Sequence, residues 1–362
     1  MKKTLFSLLS ILVLSVLLTS CRPPELEGAF VEYKQGRIDN ALQLAKEATE
    51  KYPNNSEAWF LYGEIQGQKE NYQEMVNAFD KSLAIDKNFE TKIKQAKNYF
   101  FQSEFNKGVN NYNAYIKQED RNSDQAKELL KKSLKSFQNA NIIEEDYKAT
   151  SLIGFGHVLL GEKDEAIKYY KRCTEIKPDT SDGWIALGNF YMVEQKYAEA
   201  IPPLEKALQI DPNNTEAVSL LSQAYDLTGN QDKAIELYEK AMALQPDEKA
   251  FPFNLGLIFY KATTKDSLDE ATKKDYLEKS RDYFAKVLEL DPEVKEAYKI
   301  KSSAEIQLGD FESAKITLQQ ASEKFPDDGE VWYFLGVAYG RLGDAAKAKE
   351  SFDKAEELGY KL

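Results

Sequence analysis

Four side chains in the stretch GFGHVLLGEK, residues 154–163, are of types that handle phosphate: Gly154, Gly156, Gly161 and Lys163. A phosphate loop needs the lysine directly after the second glycine, then Ser or Thr, with a strand leading in. Here the spacing is G-x4-G-x-K, Asp164 follows the lysine, and no strand-like run precedes. His157, in the same stretch, is the only histidine, so a metal centre would lack the usual Cys/His cluster. Cys173 shares the chain with Cys21 alone. The carboxylates follow helical solvent faces, and none is singled out as an acid/base pair. These residues predict no enzyme, no cofactor and no metal.

The elements that hold them are soluble and helix-rich. Of 362 residues, 42% are apolar and 30% charged, with a formal net charge of −12. Such an acidic body argues against general binding to nucleic acid or to anionic lipid headgroups.

The amino terminus is of another kind. Lys2 and Lys3 precede an apolar run from Leu5 to Leu18 broken only by serine. It is shorter than a membrane span of about 20 residues. Leu18-Thr19-Ser20-Cys21 resembles the lipobox of bacterial lipoproteins. That resemblance implies a signal peptide over residues 1–20, cleavage before Cys21, and a palmitate-bearing lipid anchor on its thiol. Arg22 stands where an aspartate retains enteric lipoproteins in the inner membrane, so the expected address is the outer membrane, facing the periplasm. Pro23 and Pro24 read as a short stiff tether.

The rest of the chain repeats. In residues 181–214, Trp184, Leu187, Gly188, Tyr191, Ala200, Leu204, Ala207 and Pro212 fall at positions 4, 7, 8, 11, 20, 24, 27 and 32 of a 34-residue unit. The frame continues over 215–248, 295–328 and 329–362, and backwards over 147–180, 56–89 and 22–55. Small residues at 8, 20 and 27 let helices approach, and large ones at 4, 7, 11 and 24 fill the space between them. Glycine at 15 closes the first helix and proline at 32 stops the second. One such pair cannot bury its own apolar face, so neighbours must stack.

This pattern resembles the tetratricopeptide repeat (TPR). The resemblance implies an all-α, right-handed superhelical solenoid of about nine helix-turn-helix units. Residues 21–146 are then the N-terminal units, irregular over 90–146, and 147–362 a regular array with an insertion near 261–279. In the irregular unit, residues 105–115 read as a first helix. Residues 123–137 read as a second, with Ala126, Leu130 and Ser133 as its small and large core positions. The insertion from Lys261 to Lys279 reads as a solvated segment.

In the TPR family, first-helix positions 2, 5, 9, 12 and 13 line a concave groove for extended peptides. By that rule the groove here includes Phe155, Ile185, Asn189, Met192, Gln223, Phe253 and Tyr260, with Asp226, Lys299 and Ser303 beside them. The lysine and asparagine clamp of chaperone-tail TPRs is missing, because Ile185 stands at position 5 beside Asn189 and Ser303 follows Lys299. The expected function is a lipid-anchored, non-catalytic scaffold for protein partners in envelope assembly or secretion, holding an extended, weakly charged segment. The rival is a carrier for a polysaccharide or glycan in export or cell-wall machinery. Against it, all three Trp fall in position-4 packing slots, away from the groove.

Overall fold

The computed structural model describes residues 22–264 and 268–360; Cys21 and the segment expected to be a signal peptide lie outside them. Eighteen α-helices and no strand occur among the described residues. The chain divides into two compact units, the first ending at Lys177 and the second starting at Pro178.

The first unit holds four antiparallel helix pairs. These are α1 (Pro24–Lys34) with α2 (Ile38–Lys51), α3 (Ser56–Gln68) with α4 (Tyr72–Ile85), α5 (Glu90–Ile116) with α6 (Asp124–Ile143), and α7 (Tyr147–Leu160) with α8 (Lys163–Ile176). The second unit holds five. They are α9 (Ser181–Val193) with α10 (Tyr197–Ile210), α11 (Thr215–Leu227) with α12 (Gln231–Leu244), and α13 (Ala250–Ala262) with α14 (Glu270–Leu290). The last two pairs are α15 (Lys295–Leu308) with α16 (Phe311–Lys324) and α17 (Gly329–Arg341) with α18 (Ala345–Glu357).

The small residues at position 8 are there because the helices of a pair touch. A Cβ added to Gly188 would stand 2.5 Å from Leu204; at Gly63 it would meet Phe79 at 2.6 Å and at Gly256 Phe284 at 2.8 Å. Real side chains do not approach so closely, so any larger residue forces the pair apart. Second helices end two residues before the prolines, with Tyr52, Lys177, Asp211 and Gln245 as the caps between. Each position-4 tryptophan then donates its indole N–H to such a proline carbonyl: Trp59 to Pro53 (2.9 Å), Trp184 to Pro178 (3.1 Å) and Trp332 to Pro326 (2.8 Å).

Three elements differ from the sequence reading. The first is the irregular pair. A Cβ on Gly108 would meet Phe137 at 2.6 Å, and the Ser133 hydroxyl donates to the Gly108 carbonyl at 2.8 Å. The regular counterpart is Gly256, which faces Phe284 and accepts from Ser280 at 3.0 Å. Ser133, Phe137 and Ala140 are therefore positions 20, 24 and 27, and the frame starts at residue 101, not 90. Ala126 and Leu130 instead pack with Tyr115 in a small core of their own, between helices lengthened past the repeat. Residues 90–100 extend α5 backwards, where Ile93 and Phe100 join Phe60, Met75 and Phe79.

The second is the insertion, which is helical from Glu270 onward. Asp269 accepts the Thr272 amide as N-cap, and Tyr276 and Leu277 pack inward. The third is the amino-terminal tether. Pro24 is the first residue of α1, a position that suits a residue without an N–H. Arg22 pairs with Glu57 at 2.8 Å and lies 4.1 Å over the Phe30 ring.

Candidate functional site

The residues with apparent chemistry are absorbed by the fold. Gly154 and Gly156 lie inside α7, the latter against Leu134, and Gly161 caps the helix at φ 77°. His157 is buried; its Nδ1 lies 2.6 Å from Glu162 Oε2 and its ring stacks on Tyr169. Cys173 is fully buried, and burial pushes its thiol up to about 12. Among the described residues no group of three or more His, Cys, Asp or Glu side chains is placed to hold a metal ion.

The first helices carry the surface of interest, and one geometric rule organises it. The residue at position 12 of one repeat meets positions 9 and 13 of the next. In the second unit, the Tyr260 hydroxyl bonds Ser303 Oγ at 2.7 Å and accepts from Gln307 Nε2 at 3.2 Å. In the first unit, the corrected frame makes Tyr112 a position-12 residue, and its ring meets Phe155, at position 9 of the next repeat, edge-on at 6.2 Å. Tyr33 likewise meets Glu64 and Gln68; burial and the Glu64 charge push its phenol up, and the Gln68 bond opposes them.

The expected groove residues are placed as follows. Phe155 is exposed and belongs to the first unit, with Leu159 one turn on. The other six belong to the second. Asn189 is exposed and its amide makes no hydrogen bond among the described residues. Gln223, one repeat on, is half-buried and donates to Ser219 Oγ at 3.2 Å. Met192 and Phe253 are half-buried, the first leaning on the core of the second unit and the second edge-on to Phe284. Tyr260 is held as described above.

Ile185 is the exception. It is 6% exposed and packs with Ala207 and Ala217, because position 5 of α9 turns towards the neighbouring helices. It is a wall beneath the surface, not a contact on it. Lys299, at the same position of α15, is bound to Glu330 at 2.6 Å and Asp328 at 3.1 Å. The surface also holds Val193 at 64% and Leu227 at 55% exposure, both at position 13, which the family rule counts as part of the groove. Large apolar side chains left in water at one repeat position mark a contact surface.

Stacked helix pairs with an open row of mixed polar and apolar side chains define a protein-binding scaffold. TPR models match residues 29–88, 156–180, 192–251 and 301–359, together more than half of the chain, which belongs to the tetratricopeptide-repeat family. A TPR repeat-containing protein of Methanocaldococcus jannaschii is 25% identical over 344 residues, covering 91% of this chain and 57% of the relative. The chain thus spans little more than half of that relative's length. Similar solved structures include YrrB, described as a TPR protein with an unusual peptide-binding site. It is 19% identical over 52% of this chain and 91% of its own, with a TM-score of 0.44. Another is MamA of AMB-1, 23% identical over 49% of this chain and 91% of its own, with a TM-score of 0.42.

Proposed function

We propose that the protein is a lipid-anchored scaffold of the cell envelope, held at the outer membrane through Cys21 and facing the periplasm. It takes an extended segment of a protein partner along the first helices of the second unit, in the course of envelope assembly or secretion. One observation carries the binding surface: Asn189, with no side-chain hydrogen bond, lies one turn from Met192 and Val193 on α9, and Gln223 and Leu227 hold the positions of Asn189 and Val193 on α11, with Val193 and Leu227 strongly exposed. An amide both donates and accepts, so Asn189 suits one peptide unit of an extended chain, while the apolar neighbours take its side chains.

Asn189→Ala with Gln223→Ala tests this in partner capture from detergent-solubilised membranes. Glu205 and Glu239 are unsuitable controls, since each accepts a hydrogen bond from a tyrosine of another helix pair, Tyr225 and Tyr283. Lys206→Ala with Glu236→Ala, on exposed faces of α10 and α12, serves instead. The groove pair should lose the partner and the control keep it, with helicity unchanged in both. The reverse outcome would place binding on the second helices. The anchor rests on the lipobox resemblance, and Cys21→Ser should abolish palmitate labelling and membrane sedimentation; persistence of both would sink it.

A further inference from the structure

One charged group on this surface is unmatched. Asp226 lies on α11, one turn beyond Gln223 and beside the exposed Leu227, and is half-buried. Its carboxylate accepts no hydrogen bond and joins no ion pair among the described residues. By the rule that position 12 meets positions 9 and 13 of the next repeat, it should face Leu257 and Lys261. Lys261 acts on it only through space and is itself exposed. Burial pushes the Asp226 carboxyl above its ordinary 3.8, and Lys261 pulls it back.

The contrast with its neighbours is informative. Tyr260, at the same position one repeat on, is satisfied by Ser303 and Gln307. Lys299 is satisfied by Asp328 and by Glu330 of the last repeat. Within the second unit, Asp226 is the place where the row leaves a partly desolvated charge that no hydrogen bond or ion pair among the described residues meets, as Glu64 is in the first unit, and a carboxylate in that state gains most from a cation that brings its own N–H donors. The surroundings agree in sign. Residues 178–362 carry 22 basic and 35 acidic side chains, against 24 and 25 in residues 22–177.

We propose that Asp226 receives a lysine or arginine side chain of the bound segment, whose flanking apolar residues rest on Leu227 and Leu257 and whose backbone pairs with Gln223. This rests on the groove reading above and revises its weakly charged ligand to one with a fixed basic residue.

The test is selection of a displayed random dodecapeptide library on the full chain, immobilised, in wild-type, Asp226→Asn and Asp226→Glu forms. The wild-type pool should enrich Lys or Arg at one register between apolar residues. The Asp226→Asn pool should keep the apolar positions and lose the basic one, and Asp226→Glu should keep both. A synthetic arginine peptide from the wild-type pool should bind Asp226→Asn about tenfold more weakly, as expected for loss of one charge-assisted pair. Its citrulline analogue should bind both forms alike. Unchanged basic preference on Asp226→Asn, or a wild-type pool without basic residues, overturns the inference and leaves the groove reading standing. A wild-type pool no richer than the blank removes the groove reading and this inference with it.

Discussion

Two carboxylates in this chain meet burial in opposite ways. Glu104 is 2% exposed, yet it accepts from Lys107 at 2.6 Å, Tyr72 at 3.1 Å and Asn139 at 2.8 Å. Glu104→Ala strips these donors of their acceptor and should cost about 3 kcal/mol, the scale for breaking a buried charged network. Glu104→Gln, which keeps one acceptor oxygen, should cost less, as read from urea midpoints. Asp226 has no such donors. Its folded pKa lies above the ordinary 3.8, so the native state holds its proton more tightly and stability falls as pH rises through that window. Asp226→Asn should therefore raise the melting temperature at pH 7, by an amount worth about 0.5 kcal/mol. The gain should vanish below pH 4, and a gain that persisted there would mean that Asp226 is not the titrating group. The spacing of glycine, alanine and serine was legible in the sequence because it answers to sterics within one helix pair. Glu104 was not, since its donors Tyr72 and Asn139 come from two other helices.

The turn between the helices of a pair repeats even where its glycine does not. Gly36, Gly161, Gly229, Gly309 and Gly343 take φ between 72° and 84°, while Glu70 and Gln195 hold the same turn at 60° and 57°. Left-handed backbone costs a residue with a Cβ about 1 kcal/mol. Gln195 is exposed and makes no side-chain bond among the described residues, so Gln195→Gly should stabilise by about that much. Gly229→Ala should lose a similar amount, and two thermal melts decide both. The helix pairs themselves were readable because small and large positions recur. The third pair defeated that reading for a definite reason. Ala126, Leu130 and Ser133 have the right spacing and character, but α6 is lengthened at its start, so Ser133 is the first of the small core positions and not the last, as its bond to Gly108 and the Gly108–Phe137 contact show.

At the scale of the chain, the acid is unevenly shared. Residues 22–177 have 24 basic and 25 acidic side chains, and residues 178–362 have 22 and 35. If acyl chains attach at Cys21, they adjoin the near-neutral unit, where Arg22 is already fastened to Glu57 and leaves little slack. The acidic unit would gain nothing from anionic headgroups. That imbalance also has a measurable thermodynamic side. Like charges crowded on one compact body repel one another, and the repulsion is screened as the Debye length drops from about 30 Å at 0.01 M salt to about 8 Å at 0.15 M. Amide-exchange protection of buried segments in α10 to α16 should therefore rise over that range of sodium chloride. In α2 to α8, where opposite charges balance and ion pairs such as Arg172–Glu145 at 2.6 Å lose strength in salt, protection should stay level or fall slightly. Because both units sit in one chain under one buffer, the difference between them is free of any general salt effect on exchange chemistry. Equal responses in the two sets of helices would show that local pairing, and not the net charge of the second unit, governs its stability.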